Sequence, residues 1–549
     1  STDQPSNFSL ALLVIGVAVV VYLLPLGMRP LIGPDELRYA AIPAEMHATG
    51  DWVTPHLGGF RYFEKPVGGY WMVASSTAVF GDVPFAHRLP AALATVVAAA
   101  MVGLFVAMGT RRGSYGWLAA GVHLTTIGCV MLGRTNVLDA PFAGLITVCV
   151  VSYFLGVQAS GWRRAVLLGV AGVACGGAFM VKGLLAAMVP ALAAGVFLIW
   201  QRRWRDLLLT PWIPLLVACI VATPWAIAIH RAEPGFWEHF IIGAHFNRFT
   251  AADTNQHAEP IWFYAFALPL LCVPWLFAWP MAIAGLSRLW NEAWVRFSLC
   301  WAVAPVLFLS LSSGKLATYV LPMIGAISAL TAVGLATFYE RTPVKAGVGR
   351  FIPAAVVVVL AVGVGAAPWL GVIERPLWDD GSQWRLAYLA GVLFIWAGIE
   401  TISVGRPRRG TSRLAWAVAA PVAFLAALPM VFPTGLMSNL KIPADALLRH
   451  QSLLQAHPVV TDERIGAGVA WVSGDREMRL IGERGDFGSF PDDDGAEAAR
   501  FIEPSALEGT CVLALPTERF DRVVGELKGV RILERYDDDG LTVGLISVD

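Results

Sequence analysis

Two adjacent acidic residues, Asp35 and Glu36, lie just beyond the first apolar stretch of the chain. They follow Pro34, which has no backbone N–H to donate and fixes the entry into the next turn. Asp35 stands where its side chain could cap a helix that begins near Leu37. It could also act as a catalytic carboxylate that faces a cavity, and the two roles are compatible.

A second charged pair, Glu64-Lys65, follows the aromatic residues Tyr62 and Phe63. On an ordinary surface such a pair would contribute about 0–1 kcal/mol of stability. This pair, however, lies between two stretches that favour interfacial helices. A lysine in that place suits a lipid phosphate, because its ammonium group is a compact point charge.

A third acid, Asp139, ends the polar segment that starts at Arg134. Position alone leaves two interpretations open, since Asp139 stands where it could cap the helix that follows. Charged groups at membrane depth usually face a cavity or a partner. The alternative is therefore a second carboxylate on the same side of the membrane as Asp35.

Histidines in the segment 230–257 are candidate metal ligands. A single histidine is more often structural than a ligand, and the spacing of these residues matches no closed zinc motif. Together with Glu64 they support the hypothesis of a site for zinc or a similar divalent metal. The best pair for it is Glu64 and His245. The histidines concerned are His230, His239, His245 and His257.

The composition indicates that lipid is the main solvent of this chain. Of 549 residues, 56% are hydrophobic and only 15% are charged, against about 45–50% and about 25% in soluble proteins. The formal net charge is zero, which does not suggest nucleic acid as a partner. The seven cysteines form no Cys-x-x-Cys pair, so neither a zinc knuckle nor a redox pair is indicated.

Thirteen apolar segments come close to the length of about 20 residues that a bilayer core of about 30 Å requires. They predict an α-helical polytopic membrane protein with about thirteen transmembrane helices. The segments are 9–27, 87–108, 116–133, 139–159, 165–181, 184–200, 211–230, 262–285, 294–312, 316–338, 351–370, 386–404 and 412–432.

Arginine and lysine concentrate in alternate loops, which predicts that those loops are cytoplasmic. The N-terminus is then cytoplasmic as well, and everything after residue 432 lies outside. Three cations fall on the outer side, against this pattern, so their charge there needs an explanation. They are Lys182, Arg248 and Lys315. Each could extend its charge to lipid headgroups. Binding of an anionic ligand is the alternative, which Lys315 favours because a phenol, Tyr319, is close by in the sequence.

Residues 1–432 form the predicted membrane domain, with long outer loops at 28–86 and 231–261. The first loop contains two helix-like stretches, Arg38–Thr49 and Tyr70–Phe80, that could lie in the headgroup zone. From 433 to 549 the composition changes to a small α/β domain, without a nucleotide-binding glycine loop. Its predicted helix is Pro516–Leu527. Its predicted strands are Val459–Val460, Val469–Val472, Cys511–Leu515, Val530–Leu533 and Leu541–Val548.

Several of these segments resemble the C-type glycosyltransferases that use polyprenyl-phosphate sugars. Within this class, the segments are more similar still to the bacterial transferases that attach 4-amino-4-deoxy-L-arabinose to lipid A. The resemblance covers most of residues 10–330 and is thin after 340. The resembling segments are Asp35–Tyr39, Gly50–Trp52, Tyr62–Pro66, Gly69–Trp71, Phe179–Gly183, His245–Phe249 with His257, and Gly314–Tyr319.

The resemblance implies an undecaprenyl-phosphate-linked aminoarabinose as donor and a phosphate of lipid A as acceptor. The chain would lie in the bacterial inner membrane with its site facing the periplasm, and it would use no nucleotide sugar. Masking a lipid A phosphate with a cationic sugar would weaken binding of polymyxin and other cationic antimicrobial peptides.

Under this hypothesis Asp35 is the principal catalytic carboxylate, supported by Asp139. A phosphate acceptor is already ionised, so a strong base is not obligatory, and Asp35 could instead hold the ammonium of the donor or stabilise an oxocarbenium-like transition state. Cations or a metal would stabilise the leaving phosphate. The residues expected to bind substrate are Glu36, Arg38, Tyr62, Lys65, Lys182, Arg248, Lys315 and Tyr319, and those expected to bind metal are Glu64 and His245.

Other functions remain open at the level of sequence. Transfer of galacturonate to lipid A would prefer a more cationic pocket than Asp35, Glu36 and Glu64 provide. Transfer of mannose to protein would need a base, because the acceptor is a hydroxyl. A transporter or flippase is disfavoured, because such proteins often show repeats and polar residues at the midplane, whereas here the polar residues cluster on one side.

Overall fold

The computed structural model describes residues 5–548, except for several gaps within this range. Most of the described chain is helical, and a small sheet occurs near the C-terminal end. Helices dominate because a backbone in lipid must satisfy its own hydrogen bonds. The gaps are 242–257, 342–351, 367–383, 406–410, 432–443, 483–486, 488–494, 496 and 539.

The helices of the membrane half follow the predicted apolar segments closely. Three of them are interrupted or extended by irregular turns: a π-helical turn and a 3₁₀ turn follow α1, and a 3₁₀ turn precedes both α14 and α16. In chain order they are α1 (Asn7–Val17), α2 (Asp35–Thr49), α3 (Gly68–Phe80), α4 (Pro84–Thr110), α5 (Gly113–Leu124), α6 (Ile127–Leu132), α7 (Asp139–Gln158), α8 (Gly161–Lys182), α9 (Leu185–Trp200), α10 (Trp204–Leu209), α11 (Trp212–Ala232), α12 (Phe236–Glu238), α13 (Phe263–Leu271), α14 (Trp279–Leu286), α15 (Ala293–Ser310), α16 (Ile324–Arg341), α17 (Ile352–Ala366), α18 (Trp384–Gly405), α19 (Thr411–Ala419) and α20 (Val422–Ala427).

Within the described residues, seven helices are long and apolar enough to cross a membrane. An eighth predicted span, 262–285, is instead two helices bent by 96°. Pro274 lies at this bend, and proline interrupts the helical hydrogen bonds. The predicted spans 116–133 and 412–432 are likewise broken into α5 and α6, and into α19 and α20.

The first long loop is a compact unit made of α2, a two-stranded hairpin and α3. Both stretches predicted to be helical form helices, with α2 starting three residues earlier than expected, and their place at the membrane interface stays a prediction. Gly50 ends α2 in the left-handed conformation, with φ of 74°, which glycine adopts without strain. The hairpin, β1 (His56–Leu57) and β2 (Phe60–Arg61), was not predicted, because strands of two residues leave no periodic pattern.

The C-terminal domain is a six-stranded mixed sheet with helices packed against it, as the sequence predicts in outline. The strand order is β5-β4-β3-β6-β8-β7. The first four strands in this order are parallel, and β8 and β7 are antiparallel. The elements are α21 (Ala444–Leu448), α22 (Gln451–Ala456), β3 (Val459–Thr461), α23 (Glu463–Ser473), β4 (Arg479–Ile481), β5 (Phe501–Ile502), β6 (Gly509–Pro516), α24 (Thr517–Glu526), β7 (Val530–Asp538) and β8 (Leu541–Val548).

The predicted strand Val469–Val472 is wrong, because these residues lie inside α23. Asp462 caps this helix by accepting hydrogen bonds from the N–H groups of Arg464 and Ile465, and Gly474 ends it at φ of 67°. The short apolar run is therefore the buried face of a helix. A run of four residues does not distinguish the two structures by periodicity alone.

The C-terminal domain contacts the first outer loop directly. Arg61 of the hairpin forms an ion pair of 2.8 Å with Glu497, and the guanidinium of Arg500 lies 3.7 Å from the ring centroid of Phe60. Gly468 of α23 sits so close to Leu37 of α2 that a Cβ atom there would lie 2.8 Å from a leucine methyl group. This docking fixes the outer face of α2, which begins with the two acidic residues.

Candidate active site

Glu36 is the buried centre of a hydrogen-bond network that holds the start of α2. Its carboxylate accepts from Arg29 at 2.6 Å, from Arg88 at 2.7 and 2.9 Å, from the N–H of Ile32 at 3.0 Å and from the N–H of Asn136 at 2.9 Å. Burial alone would raise the pKa of Glu36, but the two guanidinium groups outweigh it and lower the pKa to about 2. Both oxygens are thus engaged by the protein and hold the start of α2, and the expected contact between Glu36 and substrate stays a prediction.

Asp35 points the other way from its neighbour. Its side chain is 53% exposed and forms an ion pair with the guanidinium of Arg38 at 3.4 Å. Asp35 is already the first residue of α2, and no side chain caps this helix, so capping is not its role. A carboxylate in the first turn still benefits from the positive end of the helix dipole. Asp35 is therefore an accessible, ionisable group on a rigid support.

The tyrosines beside Asp35 form a buried aromatic wall. Tyr39 and Tyr70 stack with their ring centroids 6.0 Å apart, and Arg38 lies 5.9 Å from the ring centroid of Tyr62. The hydroxyl groups of Tyr62 and Tyr70 are buried and have no hydrogen-bond partner within the described part of the chain. Buried hydroxyl groups normally have a partner, so these two are candidates to bind a ligand.

The environment of Tyr39 shows that the first outer loop, with Asp35 and Glu64, meets the segment that ends at Asp139. Burial raises the pKa of Tyr39; the charge of Arg38 opposes this, while the carboxylates of Asp35, Glu64 and Asp139 add to it. All four side chains are therefore within electrostatic reach of one phenol. Residues about 100 positions apart in the sequence converge on a single site.

Asp139 and Lys182 form an ion pair of 2.8 Å at this site. Asp139 is the first residue of α7 and makes no capping hydrogen bond, whereas Lys182 is the last residue of α8. The ammonium group of Lys182 lies 5.6 Å from the ring centroid of Tyr319, a distance at which a cation is attracted to the ring. The structure thus brings three predicted site residues together.

The ammonium nitrogen of Lys65 lies 3.9 Å from a carboxylate oxygen of Glu64, and the two side chains are about one fifth and one quarter exposed. The charge of Lys65 also acts on Asp139, which places this lysine at the same site. Burial lowers the pKa of His239, and the charge of Glu64 opposes that shift.

No group of three His, Cys, Asp or Glu residues in the described ranges is arranged to hold a metal ion. The predicted ligand His245 and the predicted phosphate-binding Arg248 lie outside the described residues.

Lys315 has a different environment from the one expected. It is only 4% exposed, and its ammonium group donates to the carbonyl groups of Glu259 at 2.6 Å and Ser312 at 2.5 Å. Two of its three donors thus hold two loop segments together, next to the bridge between Ala258 and Gly314. These contacts give Lys315 a positioning role, and its predicted contact with substrate stays a prediction.

Four residues of the site were not predicted from the sequence: Arg29, Arg88, Tyr39 and Tyr70. Arg88 did carry a signal, because an arginine just inside an apolar span usually has a buried partner. Tyr70 lay in a segment read only as an aromatic interfacial helix.

Comparison with known proteins identifies the family. Residues 8–240 match the family model of dolichyl-phosphate-mannose-protein mannosyltransferases. The chain is 32% identical over 511 residues to the undecaprenyl phosphate-α-4-amino-4-deoxy-L-arabinose arabinosyl transferase of Shewanella sediminis, covering 91% of each chain. The corresponding Yersinia pestis transferase is 34% identical over 482 residues, covering 85% of this chain and 84% of its own.

This chain belongs to the family of undecaprenyl phosphate-aminoarabinose arabinosyl transferases. It is accordingly an integral membrane glycosyltransferase. The crystal structure of ArnT from Cupriavidus metallidurans bound to undecaprenyl phosphate superimposes with a TM-score of 0.81 at 22% identity, covering 97% of both chains. The C-type glycosyltransferase fold with a small C-terminal α/β domain is therefore confirmed.

Proposed function

We propose that this protein transfers 4-amino-4-deoxy-L-arabinose from undecaprenyl phosphate to a phosphate group of lipid A. The names of its relatives supply the donor. The structural observation that carries the proposal is the exposed carboxylate of Asp35 beside the ion pair of Asp139 and Lys182. The protein would lie in the inner membrane with this site facing the periplasm, because the arginine-rich loops lie at the opposite ends of the helices.

The reaction forms a bond between an acceptor phosphate oxygen and C1 of the sugar and breaks the bond between C1 and the oxygen of undecaprenyl phosphate. The leaving phosphate keeps the electron pair of that bond. It needs charge stabilisation more than protonation, and fixed cations provide this without reorganisation. Lys182 and Lys65 are the described cations placed for this role.

Asp35 acts on the sugar. Its exposed carboxylate can hold the 4-ammonium group of the donor, and it stabilises positive charge that develops at C1 in the transition state. It can also accept the residual proton of an acceptor phosphate. The hydroxyl groups of Tyr62 and Tyr70, which are buried and have no partner among the residues that the structure describes, can donate to oxygen atoms of the substrate.

The decisive experiment compares wild type with Asp35→Asn in a bacterial strain that lacks its own transferase. Mass spectrometry of lipid A should show the mass added by aminoarabinose with the wild type. The variant should lose transfer by about 100-fold or more, the range found for groups that act on the reacting atoms. Asp445→Asn is a matched control, because Asp445 is also an exposed acid in the first turn of a helix.

Near-normal transfer by Asp35→Asn would reject this role for Asp35. A different added mass on lipid A would reject the sugar, and modification of secreted proteins in place of lipid A would indicate a protein mannosyltransferase. The control variant should match wild type in both amount and activity.

Metal dependence is a separate prediction, which rests on Glu64 and His245. If a divalent ion takes part, purified protein should contain about one zinc or similar ion per chain, and Glu64→Gln should reduce that content together with activity. Elemental analysis of the purified protein measures this directly. Full transfer by metal-free protein after chelation would remove the metal from the mechanism.

A further inference from the structure

A cavity lies far from Asp35, among the helix ends on the other side of the membrane domain. Its volume is about 690 Å³. Its walls include the exposed Met108 and the buried Phe154 and Val333, so the cavity extends from the surface into the bundle. Charged residues from the ends of α4 and α16 also line it.

Three helices place this cavity at the opposite end of the bundle from the candidate active site. Helix α4 begins at Pro84, four residues before Arg88, and ends at Thr110, whereas α7 begins at Asp139 and ends at Gln158. The span that contains Tyr319 likewise ends at Arg341. At 1.5 Å per residue, the 27 residues of α4 span roughly 40 Å, which is enough to cross a bilayer.

Two of the arginines in the cavity have charge available for a ligand. Arg112 does not, because it forms an ion pair of 2.9 Å with Glu340. Arg111 and Arg341 make no ion pair with any residue that the structure describes. Glu292 also lines the cavity and offsets one of the two, so a net positive charge remains above an apolar wall.

We infer that this cavity binds an acidic phospholipid, with its phosphodiester headgroup at Arg111 and Arg341 and an acyl chain along the apolar wall. The combination of a cationic rim and an apolar interior matches a lipid better than a free anion. Basic pockets between transmembrane helices on the cytoplasmic side characteristically bind acidic headgroups. The inference does not depend on the identity of the transferred sugar.

The test measures lipid retention by native mass spectrometry of the full-length protein in detergent. Equal amounts of phosphatidylglycerol and phosphatidylethanolamine with the same acyl chains are offered. The wild type should retain phosphatidylglycerol preferentially. The double variant Arg111→Gln/Arg341→Gln should weaken its binding about tenfold, as expected when charge-assisted contacts to a phosphate are lost.

Arg202→Gln/Arg205→Gln is the matched control. Both residues are exposed, neither lines the cavity, and Arg202, like Arg111, has a positive φ, 56° against 57°. This control should bind phosphatidylglycerol as the wild type does. If the glutamine variant unfolds, Arg111→Lys/Arg341→Lys provides the test instead, because it preserves the charge and should keep the lipid preference.

Equal retention of the two lipids by the wild type would overturn the inference. So would unchanged phosphatidylglycerol binding in the glutamine variant, or loss of the preference in a folded lysine variant. Displacement of the lipid by millimolar inorganic phosphate would show that the site takes a free anion instead. Aminoarabinose transfer is measured in parallel, and the cavity variants should retain it, which separates this result from the test of Asp35.

Discussion

At the scale of single residues, two neighbouring acids have opposite environments. Glu36 is 2% exposed and neutralised by Arg29 and Arg88, whereas Asp35 is 53% exposed. Successive residues on a helix differ in direction by about 100°, so one turns into the bundle and the other away from it. Glu36 fixes the helix start, and Asp35 is left available for chemistry.

Lys182 tests the cationic side of the site. Lys182→Gln removes the partner of Asp139 and the charge that we propose stabilises the leaving phosphate, so transfer should fall about 10- to 100-fold, in line with about 1.5–3 kcal/mol for a charged hydrogen bond. Steady-state kinetics should show a loss in kcat that Lys182→Arg partly restores. Lys528→Gln, at an exposed lysine of the C-terminal domain, should have no effect. An unchanged kcat in Lys182→Gln would exclude a role in the reaction.

At the scale of elements, close packing decides where α3 lies. Gly68 contacts the end of α8 so closely that a Cβ atom would lie 2.7 Å from the Cβ of Met180 and 2.8 Å from its carbonyl oxygen. Gly69 packs as tightly, since its Cβ would lie 2.4 Å from Leu138, the residue before Asp139. These two glycines therefore set the distance between the aromatic wall and the ion pair.

Gly68→Ala should displace α3 from α8, because packed interiors have no room for a further methyl group. We expect a destabilisation of about 1–3 kcal/mol and a larger relative loss of transfer than of folded protein. Thermal unfolding and transfer are measured on the same preparation. Gly169→Ala is the control, since Gly169 lies in α8 with nothing within 4 Å of its Cβ position. Equal behaviour of the two variants would contradict this packing argument.

At the scale of the whole molecule, the C-terminal domain and the first outer loop form one outer layer. Arg61 of the hairpin contacts Glu497 of the C-terminal domain at 2.8 Å and Glu233, just after α11, at 3.1 Å. Arg500 donates to the carbonyl oxygen of Gly58. The hairpin is thus held between the C-terminal domain and the membrane bundle, and it connects the segment of Asp35 to that of Lys65.

Arg61→Gln breaks both ion pairs, which are about four-fifths buried and therefore contribute more than surface pairs do. Amide hydrogen exchange in residues 56–61 should increase, corresponding to about 1–3 kcal/mol of lost local stability, and transfer should decrease moderately. Arg535→Gln is the comparison, because the partners of Arg535, Asp521 and Asp537, are more than half exposed and such pairs contribute about 0–1 kcal/mol. Unchanged exchange in the hairpin would show that its contacts are dispensable.

Local composition is enough to predict the class of protein and the approximate place of its helices. Apolar runs of about 20 residues fold as helices in lipid whatever their neighbours, because the backbone has no other hydrogen-bond partners there. Motifs in the first loop also sufficed to indicate the family and brought Asp35 and Lys65 forward as candidates, and the polar segments that contain Asp139 and Lys182 added those two residues. These features depend only on local composition and order.

The surroundings of each candidate residue, by contrast, depend on the folded structure. Whether an acid is neutralised, as Glu36 is by Arg88, depends on a partner about 50 positions away. Likewise, Lys315 is engaged by carbonyl groups that a sequence does not place. The strand predicted at Val469–Val472 became a helix because capping and packing override a short apolar pattern. Long-range partners and buried geometry are properties of the fold, so they separate the accessible Asp35 from the structural Glu36.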